Sequence, residues 1–598
     1  MRPVPVALCQ FRPSKGRPTE NLDRIGELLH SVSQGPTRPE LVILPETATT
    51  GYFLEGGVRE HAVTAESLFE EVGRRHAAAK LPPIDIVLGF YERWNGRLHN
   101  SAMWASFGGG EAGVRHVHRK LFLPTYGVFD EGRFVEAGAD IRAFDTRFGR
   151  VAMLICEDAW HSLAPTIAAV DGAQLIAVLA ASPARGLAPD PVHPGQPGSM
   201  ARWDRLARDI AGEHGVFVAM SHLVGFEGGK GFPGGSILTG PDGDVLARGP
   251  LFEEAVVHHT IDLEAVPRVR AESPLLADLE LRLPPLIEAL GRARERTVAF
   301  AEPGSVPAVP VLTPPATSGM IGVPSAAERL AIDPALARTW LVEFLRDEVG
   351  RRRGFDRVIL GLSGGVDSAL VAWLAAEALG PERVIAVRMP YRASSKASLD
   401  HARMVTGALG LEERTVDITA AVDGYAAAAG ELLTPARLGN VMARLRMTTL
   451  FDLSAGLGAL PLGTGNKSER LLGYFTWHAD DSPPINPIGD LFKTQVWALA
   501  RHVGVPPAIV DKPATADLVA DQTDEGDFGT SYQVADGILD LVLRGFGAEA
   551  LTAAGYTAEE VAIVRHRLDS THWKRRLPTT AMVSGTAIGE YYLRPVDY

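Results

Sequence analysis

The chain has 598 residues, a formal net charge of −13, and 46% hydrophobic and 22% charged residues. A single core stops growing near ~250–300 residues, so two or more domains are expected. The acidic balance argues against a general nucleic-acid or membrane-surface binder. No run reaches the ~18 apolar residues of a membrane span, and the opening MRPVPVALCQ is too short in apolar residues for a signal peptide. The only cysteines, Cys9 and Cys156, form no disulfide framework or zinc pattern, so a reducing, cytoplasmic setting is expected. Nine of the 59 basic residues are lysines. Arginine cannot give up its proton, so chemistry is expected of the few lysines the chain keeps.

From Met1 to about Asp262, β-type runs (PVALCQF, ELVILPE, DIVLGFY, VAMLICE, AQLIAVLA) alternate with helical stretches such as Asn21 to Ser33. This predicts a layered sheet-and-helix domain. From Ala265 to Ala326 the pattern weakens: the charged helical stretch LIEALGRARER precedes the Pro/Gly/Ser-rich AEPGSVPAVPVLTPPATSGMIGVP. A linker or interdomain wrap is expected there. Near Pro334 a second alternating unit begins: helix RTWLVEFLRDEVGRRRG, strand RVILGLS, helix SALVAWLAAEALG, strand VIAVRMP. Strand–helix–strand succession predicts a doubly wound parallel sheet, which binds ligands beyond the C-terminal strand ends. The expected domains are 1–264 and 333–598, joined by a linker over 265–332. No internal repeat is visible.

VILGLSGGVDSALVAWL, Val358 to Leu374, places Gly361, Ser363, Gly364 and Gly365 between that strand and helix. Unpaired N–H groups at the positive end of a helix dipole make an anion site, most often for phosphate. The spacing fits neither a Walker loop nor G-x-G-x-x-G. Asp367 follows two residues after the glycine pair, and a carboxylate so close to phosphate is repelled unless a divalent cation bridges them. The loop therefore predicts nucleotide, pyrophosphate and Mg²⁺ together; the plain alternative is a tight turn whose small residues permit close packing.

GLSGGVDS, MPYRASS, GNVMARLRM, GTGNKSE, GYFT, INPIGDLFKTQV, KPATADL and QTDEGDFG resemble, in this order, the NAD synthetases over essentially all of Asp333 to Tyr598. The resemblance implies an ATP-pyrophosphatase (adenine nucleotide alpha hydrolase-like) fold. It also implies the reaction: ATP adenylates the nicotinate carboxylate of deamido-NAD, pyrophosphate leaves, and ammonia displaces AMP. Carried over to these motifs, ATP falls to Gly361, Leu362, Ser363, Gly364, Gly365, Val366, Asp367, Ser368, Thr464, Lys493 and Thr515. Deamido-NAD falls to Asn440, Arg446, Glu469, Asp480 and Lys574, and Mg²⁺ to Asp367 and Glu469, whose hard oxygens suit it. Two positions depart from the family: Trp477 follows GYFT where a Lys is common, and the usual HKR reads HWKR.

LVILPETATTGY, HRKLFLPTYGVFDEGRF and VAMLICEDAW resemble the nitrilase (carbon–nitrogen hydrolase) superfamily over roughly Pro3 to Asp262. This implies an αββα sandwich with a Glu46, Lys120 and Cys156 triad. Cys156 would attack an amide carbon, Lys120 supply positive charge, and Glu46 move the protons. Cys9 is read as core. Fused to an ammonia consumer, the module resembles a glutaminase, with Tyr126 and Ser182 as pocket positions and Glu131 bracing the triad. The family's Lys after Ser-Pro is missing from SPARGLAPD. Either Arg185 takes the glutamine carboxylate or the amide is not glutamine. The whole chain resembles the glutamine-dependent NAD synthetases, which implies homo-oligomers, an internal ammonia tunnel, and neither nucleic acid nor membrane as partner. Two other readings remain at this point: another ATP-pyrophosphatase amidotransferase, of the GMP or asparagine synthetase kind, and a catalytically inactive nucleotide-binding scaffold.

Overall fold

In the N-terminal part, β1 (Val4–Gln10), β2 (Leu41–Ile43), β3 (Ile84–Trp94), β4 (Arg97–Phe107) and β5 (Gly113–Arg119) form one six-stranded sheet with Ala255–Ile261. The three central strands, β1 to β3, run parallel, and the outer ones are antiparallel. A second six-stranded sheet holds β6 (Ala143–Asp145), β7 (Arg150–Ile155), β8 (Leu175–Ala180) and β9 (Phe217–His222), with Ile237–Thr239 and Val245–Arg248. The structure is a computed structural model that describes residues 3–35, 37–54, 57–110, 112–299, 324–430, 433–515 and 523–576. It divides into two units. The first holds the described residues up to Ala184 and those from Ser199 to Ala299; the second holds Arg185–Gly198 and those from 324 to 576.

Period-two alternation makes the first unit layered. Val6, Leu8, Ile43 and Trp104 share one core with Leu154, Ile176 and Val178 of the second sheet. Their neighbours Ala7, Val42, Ile86 and Met103 point the other way, onto Leu22, Ile25 and Leu29 of helix Pro18–Ser33 and Leu68 and Val72 of helix Ala65–Ala78. Helices Leu163–Val170 and Gly198–His214 bury their apolar faces in the core of the second sheet. The result is the expected αββα sandwich. Cys9 lies in it, fully buried, and burial pushes its thiol up to about 12.

Part of the expected linker is regular structure. Residues 265–299 form helices Ala265–Glu272 and Leu275–Ala299, and Val266 and Leu276 are buried in the first unit's core. The second helix escapes pattern reading because it contains Pro284 and Pro285 and leaves Leu281, Ile287 and Leu290 exposed, so no clean apolar stripe marks it. The Pro-rich stretch over 300–323 lies outside the described residues.

In the second unit, β10 (Arg357–Gly361), β11 (Val384–Arg388), β12 (Glu412–Thr415) and β13 (Ala459–Pro461) form a parallel sheet in the order β12-β11-β10-β13. Helix Val366–Leu379 is apolar on nearly every side and is correspondingly buried in the second core. Its N-terminus meets the end of β10, the topological position expected of a ligand loop.

One glycine shapes the first unit's cleft. A Cβ on Gly89 in β3 would lie 2.6 Å from the Pro45 carbonyl oxygen and 2.7 Å from the Glu46 Cα. Only a bare backbone lets the chain after β2 turn close over β3. Gly89→Ala is expected to cost about 1–3 kcal/mol in chemical denaturation, as overpacking does. Gly73→Ala, in helix Ala65–Ala78 with its nearest neighbour 3.9 Å away, should be neutral or slightly stabilising.

Candidate active sites

The first unit brings three strand ends together. Glu46 follows β2, Lys120 follows β5 and Cys156 follows β7. The backbone is strained at two of them: Thr47 has φ +49° and Cys156 φ +46°, left-handed conformations that a non-glycine residue adopts only where packing holds it. At Cys156 the chain turns at once into a short 3₁₀ segment, Cys156–Trp160, which lifts the thiol off the strand end.

Lys120 is wholly buried, and its Nζ donates to Glu46 Oε1 at 2.8 Å and to Glu131 Oε2 at 2.7 Å. Asn100 Nδ2 donates to both carboxylates, at 2.8 and 2.5 Å, and the Ala181 N–H donates to Glu46 Oε2 at 2.7 Å. Burial works to lower the Lys120 pKa, but Glu131 and Glu46 outweigh it, so the ammonium keeps its proton well above the ordinary lysine range. Burial pushes Glu46 up; Lys120 opposes this and the charge of Glu131 adds to it. Burial and the charge of Glu46 also hold the Cys156 thiol well above its ordinary value, against the pull of Lys120. The resting site is therefore a protonated thiol beside a carboxylate of raised proton affinity and a permanent cation. That set can deprotonate the thiol, stabilise an oxyanion and return a proton to a leaving amine.

Glu131, 6% exposed, is tied to the set by Lys120 and Asn100, and the Tyr52 hydroxyl donates to it at 3.2 Å. Ser182 Oγ accepts from Trp203 Nε1 at 2.8 Å, one residue after the Ala181 amide that touches Glu46. Tyr126 is exposed and donates to Glu157 Oε2, in the turn that follows Cys156. Arg185 is exposed and groups with the second unit rather than with the triad. Two contributors carry no motif signal. Asn100 lies in the middle of a strand, and buried Glu227 accepts the N–H groups of Tyr52 and Phe53, fixing the loop after Glu46. Only contact across strands reveals either.

In the second unit the loop after β10 opens on a cavity of about 330 Å³. Gly364, at φ +77°, passes so close to the Ser398 carbonyl that a Cβ would lie 2.1 Å from it. Except for Gly364, every loop residue from Gly361 to Ser368 lines the cavity, as do Thr464, Thr515, Arg446, Glu469, Asp480 and Lys493. Ser363 and Ser368 hold the loop through an Oγ–Oγ hydrogen bond of 3.1 Å. Lys493, 2% exposed, donates to Asp367 Oδ2 at 2.5 Å and reaches Glu469 Oε1 at 3.5 Å. Burial and the nearby Asp367 charge push the Glu469 pKa up; burial works to lower that of Lys493, but Asp367 and Glu469 outweigh it and keep the ammonium charged above the ordinary lysine range. Two oxygen donors that repel one another around a single ammonium suit a divalent cation, so the pair fits Mg²⁺. Asn466, which lies in GTGNKSE but has no role assigned there, donates to Asp367 Oδ1 at 2.9 Å and caps the helix that carries Glu469.

Asn440 and Lys574 do not line the cavity. Lys574 Nζ donates to the Gly473 and Phe475 carbonyls at 2.8 and 3.0 Å, and Asn440 Oδ1 accepts from Thr476 Oγ1 at 3.0 Å. Both hold the 473–476 turn. The two positions that depart from the family pattern meet beside it: the Trp477 and Trp573 rings lie edge to face, centroids 5.1 Å apart.

The carbon-nitrogen hydrolase family matches residues 5–271 and the NAD synthase family residues 338–578. The chain is 30% identical over 618 aligned positions to the glutamine-dependent NAD(+) synthetase of Thermotoga maritima, covering 100% of this chain and 99% of that one. It is 49% identical over 261 residues to the NH(3)-dependent NAD(+) synthetase of Trichlorobacter lovleyi, covering 44% of this chain and 95% of that one. Among solved structures, the glutamine-dependent NAD+ synthetase of Acinetobacter baumannii in complex with ADP superposes with TM-score 0.69 at 25% identity, covering 100% of this chain and 98% of that chain. Among the described residues no helix is long and apolar enough to cross a membrane.

Lys120→Met leaves two buried carboxylates facing each other with no cation between them, which is expected to cost about 3–5 kcal/mol of stability at neutral pH. Glu46 already binds its proton more tightly folded than unfolded, so the folded variant takes up protons as pH falls. Stability then rises in that direction, and thermal melts should show the deficit narrowing as pH falls below neutral.

Proposed function

The chain belongs to the glutamine-dependent NAD(+) synthetases, and from that premise we propose how its two sites divide the reaction. The enzyme amidates deamido-NAD to NAD at the expense of ATP, taking nitrogen from glutamine. In the first unit Glu46 takes the Cys156 proton, the thiolate attacks the glutamine amide carbon, and Lys120 faces the developing oxyanion. Glu46 returns the proton to departing ammonia, then activates the water that hydrolyses the thioester. Glu131 and Asn100 hold Lys120 and Glu46 in register. Tyr126 and Ser182 contact glutamine.

In the second unit the 361–368 loop and Thr464 and Thr515 bind ATP, with Lys493 steadying phosphate charge. Arg446 and Asp480 bind deamido-NAD; Asn440 and Lys574 shape that site through the 473–476 turn. The nicotinate carboxylate attacks the α-phosphorus, pyrophosphate leaves, and ammonia displaces AMP from the acyl-adenylate. Asp367 and Glu469 would hold Mg²⁺, which neutralises phosphate charge when bound. The hydrolase module is taken as 1–264, with helices Ala265–Glu272 and Leu275–Ala299 packed on its core, and the synthetase module as 333–598. Self-association belongs to this reading, and the exposed Leu281, Ile287 and Leu290 support it.

The observation that carries the proposal is the wholly buried Lys120 bridging Glu46 and Glu131 behind Cys156, in one chain with an Asp367-bearing anion loop. Cys156→Ala should abolish NAD formation from glutamine, while ammonium salts still support it. That rescue should improve as pH rises toward ~9, since free NH₃ is the nucleophile. Residual glutamine-dependent synthesis, followed by mass spectrometry with amide-labelled glutamine, would mean another nucleophile. Asp367→Asn should do the opposite, sparing glutamine hydrolysis and removing pyrophosphate release. Normal pyrophosphate release would refute its place at the phosphates.

A further inference from the structure

Asp158, two residues after Cys156, has no exposed surface, and both its oxygens are doubly used. Oδ1 accepts the Leu121 and Phe122 N–H groups, each at 2.9 Å. Oδ2 accepts the Ile155 N–H at 3.1 Å and faces His118 Nε2 at 2.8 Å. The four donors come from two segments only. His118, Leu121 and Phe122 flank Lys120, and Ile155 immediately precedes Cys156. Burial works to raise the Asp158 pKa, but His118 and the N–H groups outweigh it, so the carboxylate stays ionised below its usual range.

Neither residue touches the sulfur, the Lys120 ammonium or Glu46 through any of these bonds, so neither belongs to the proton-transfer set. What they join is backbone to backbone. The left-handed turn at Cys156 and the strand end at Lys120 belong to different sheets. Small slippage between those sheets would change the distance from thiol to ammonium directly. We propose that Asp158 and His118 form a positioning staple that fixes the Cys156 turn against the Lys120 strand, holding nucleophile and cation at reacting distance. The staple rests on the assignment of Cys156 and Lys120 made above. An ionised carboxylate is the group suited to the task, since a neutral amide cannot accept at both ends.

Asp158→Asn tests this in the full chain. Its amide must present NH₂ either to Leu121 and Phe122 or to Ile155, so one flank is released whichever way it turns. The glutamine hydrolysis kcat should fall about ten- to a hundredfold, the loss of one or two charge-assisted bonds, with KM within about threefold of wild type. Ammonium-driven NAD synthesis should be unchanged, and alkylation of Cys156 by iodoacetamide should slow. His118→Gln, whose side-chain NH₂ can still reach Oδ2, should keep more kcat than His118→Leu. Wild-type kcat in Asp158→Asn, a change in KM alone, equal loss in both His118 variants, or loss of ammonium-driven synthesis together with hydrolysis would overturn the staple. Glutamine hydrolysis persisting in Cys156→Ala, run alongside, would instead overturn the nucleophile assignment beneath it.

Discussion

A buried ammonium needs partners that replace the water it loses, and in both units the most deeply buried lysine faces two carboxylates. Lys120 lies between Glu46 and Glu131, and Lys493 reaches Asp367 and Glu469. Each also sits over a tyrosine ring, Tyr52 at 5.5 Å and Tyr532 at 5.3 Å, whose face favours a cation. One carboxylate suffices to keep a lysine charged; the second leaves surplus negative charge in a place with little water. Much of each site can be read as the handling of that surplus.

The two units handle it differently because their surroundings differ. Around Lys120 the carboxylates are closed in by Asn100, the Ala181 N–H and Tyr52, so the surplus appears as raised proton affinity at Glu46, the property a base needs to take a thiol proton. Around Lys493 the carboxylates border an open cavity beside an N–H-rich loop. There the surplus faces open space, which is where the proposed Mg²⁺ would neutralise it when bound. The same arrangement thus suits proton transfer where it is enclosed and phosphate binding where it is open.

Much of this was legible in the sequence, for physical reasons. Strands buried on one or both faces announce themselves by composition, so a layered sheet-and-helix domain and the parallel sheet were readable from apolar runs, while the αββα order came from the family resemblance. Glu46, Lys120, Cys156 and the 361–368 loop were readable because strand-end chemistry leaves short contiguous motifs. Asn100, Glu227, Asn466 and Asp158 were not assigned, because their meaning lies in partners 54, 175, 99 and 37 residues away. The helical 265–299 segment was hidden by Pro284 and Pro285 and by apolar residues that stay exposed. Lys574 shows a subtler limit: the motif placed it at the nucleotide, while its ammonium is held by two carbonyls of the neighbouring turn.

The turn that Lys574 holds also lies beside the two departures from the family pattern. Trp477 stands where a lysine is common and Trp573 lies within HWKR, nearly a hundred residues later, yet the two rings meet edge to face. Replacing a lysine by an indole removes a charge and exposes a large apolar surface, which costs free energy unless something covers it. Trp573 and the stacked ring of His478 each cover part of Trp477, and Trp573 stands next to Lys574, whose ammonium fixes the carbonyls at the start of the same turn. A lone tryptophan at either position would lose that contact. The contact thus sits at the rim of the turn, beside the backbone that Lys574 and Asn440 hold in place.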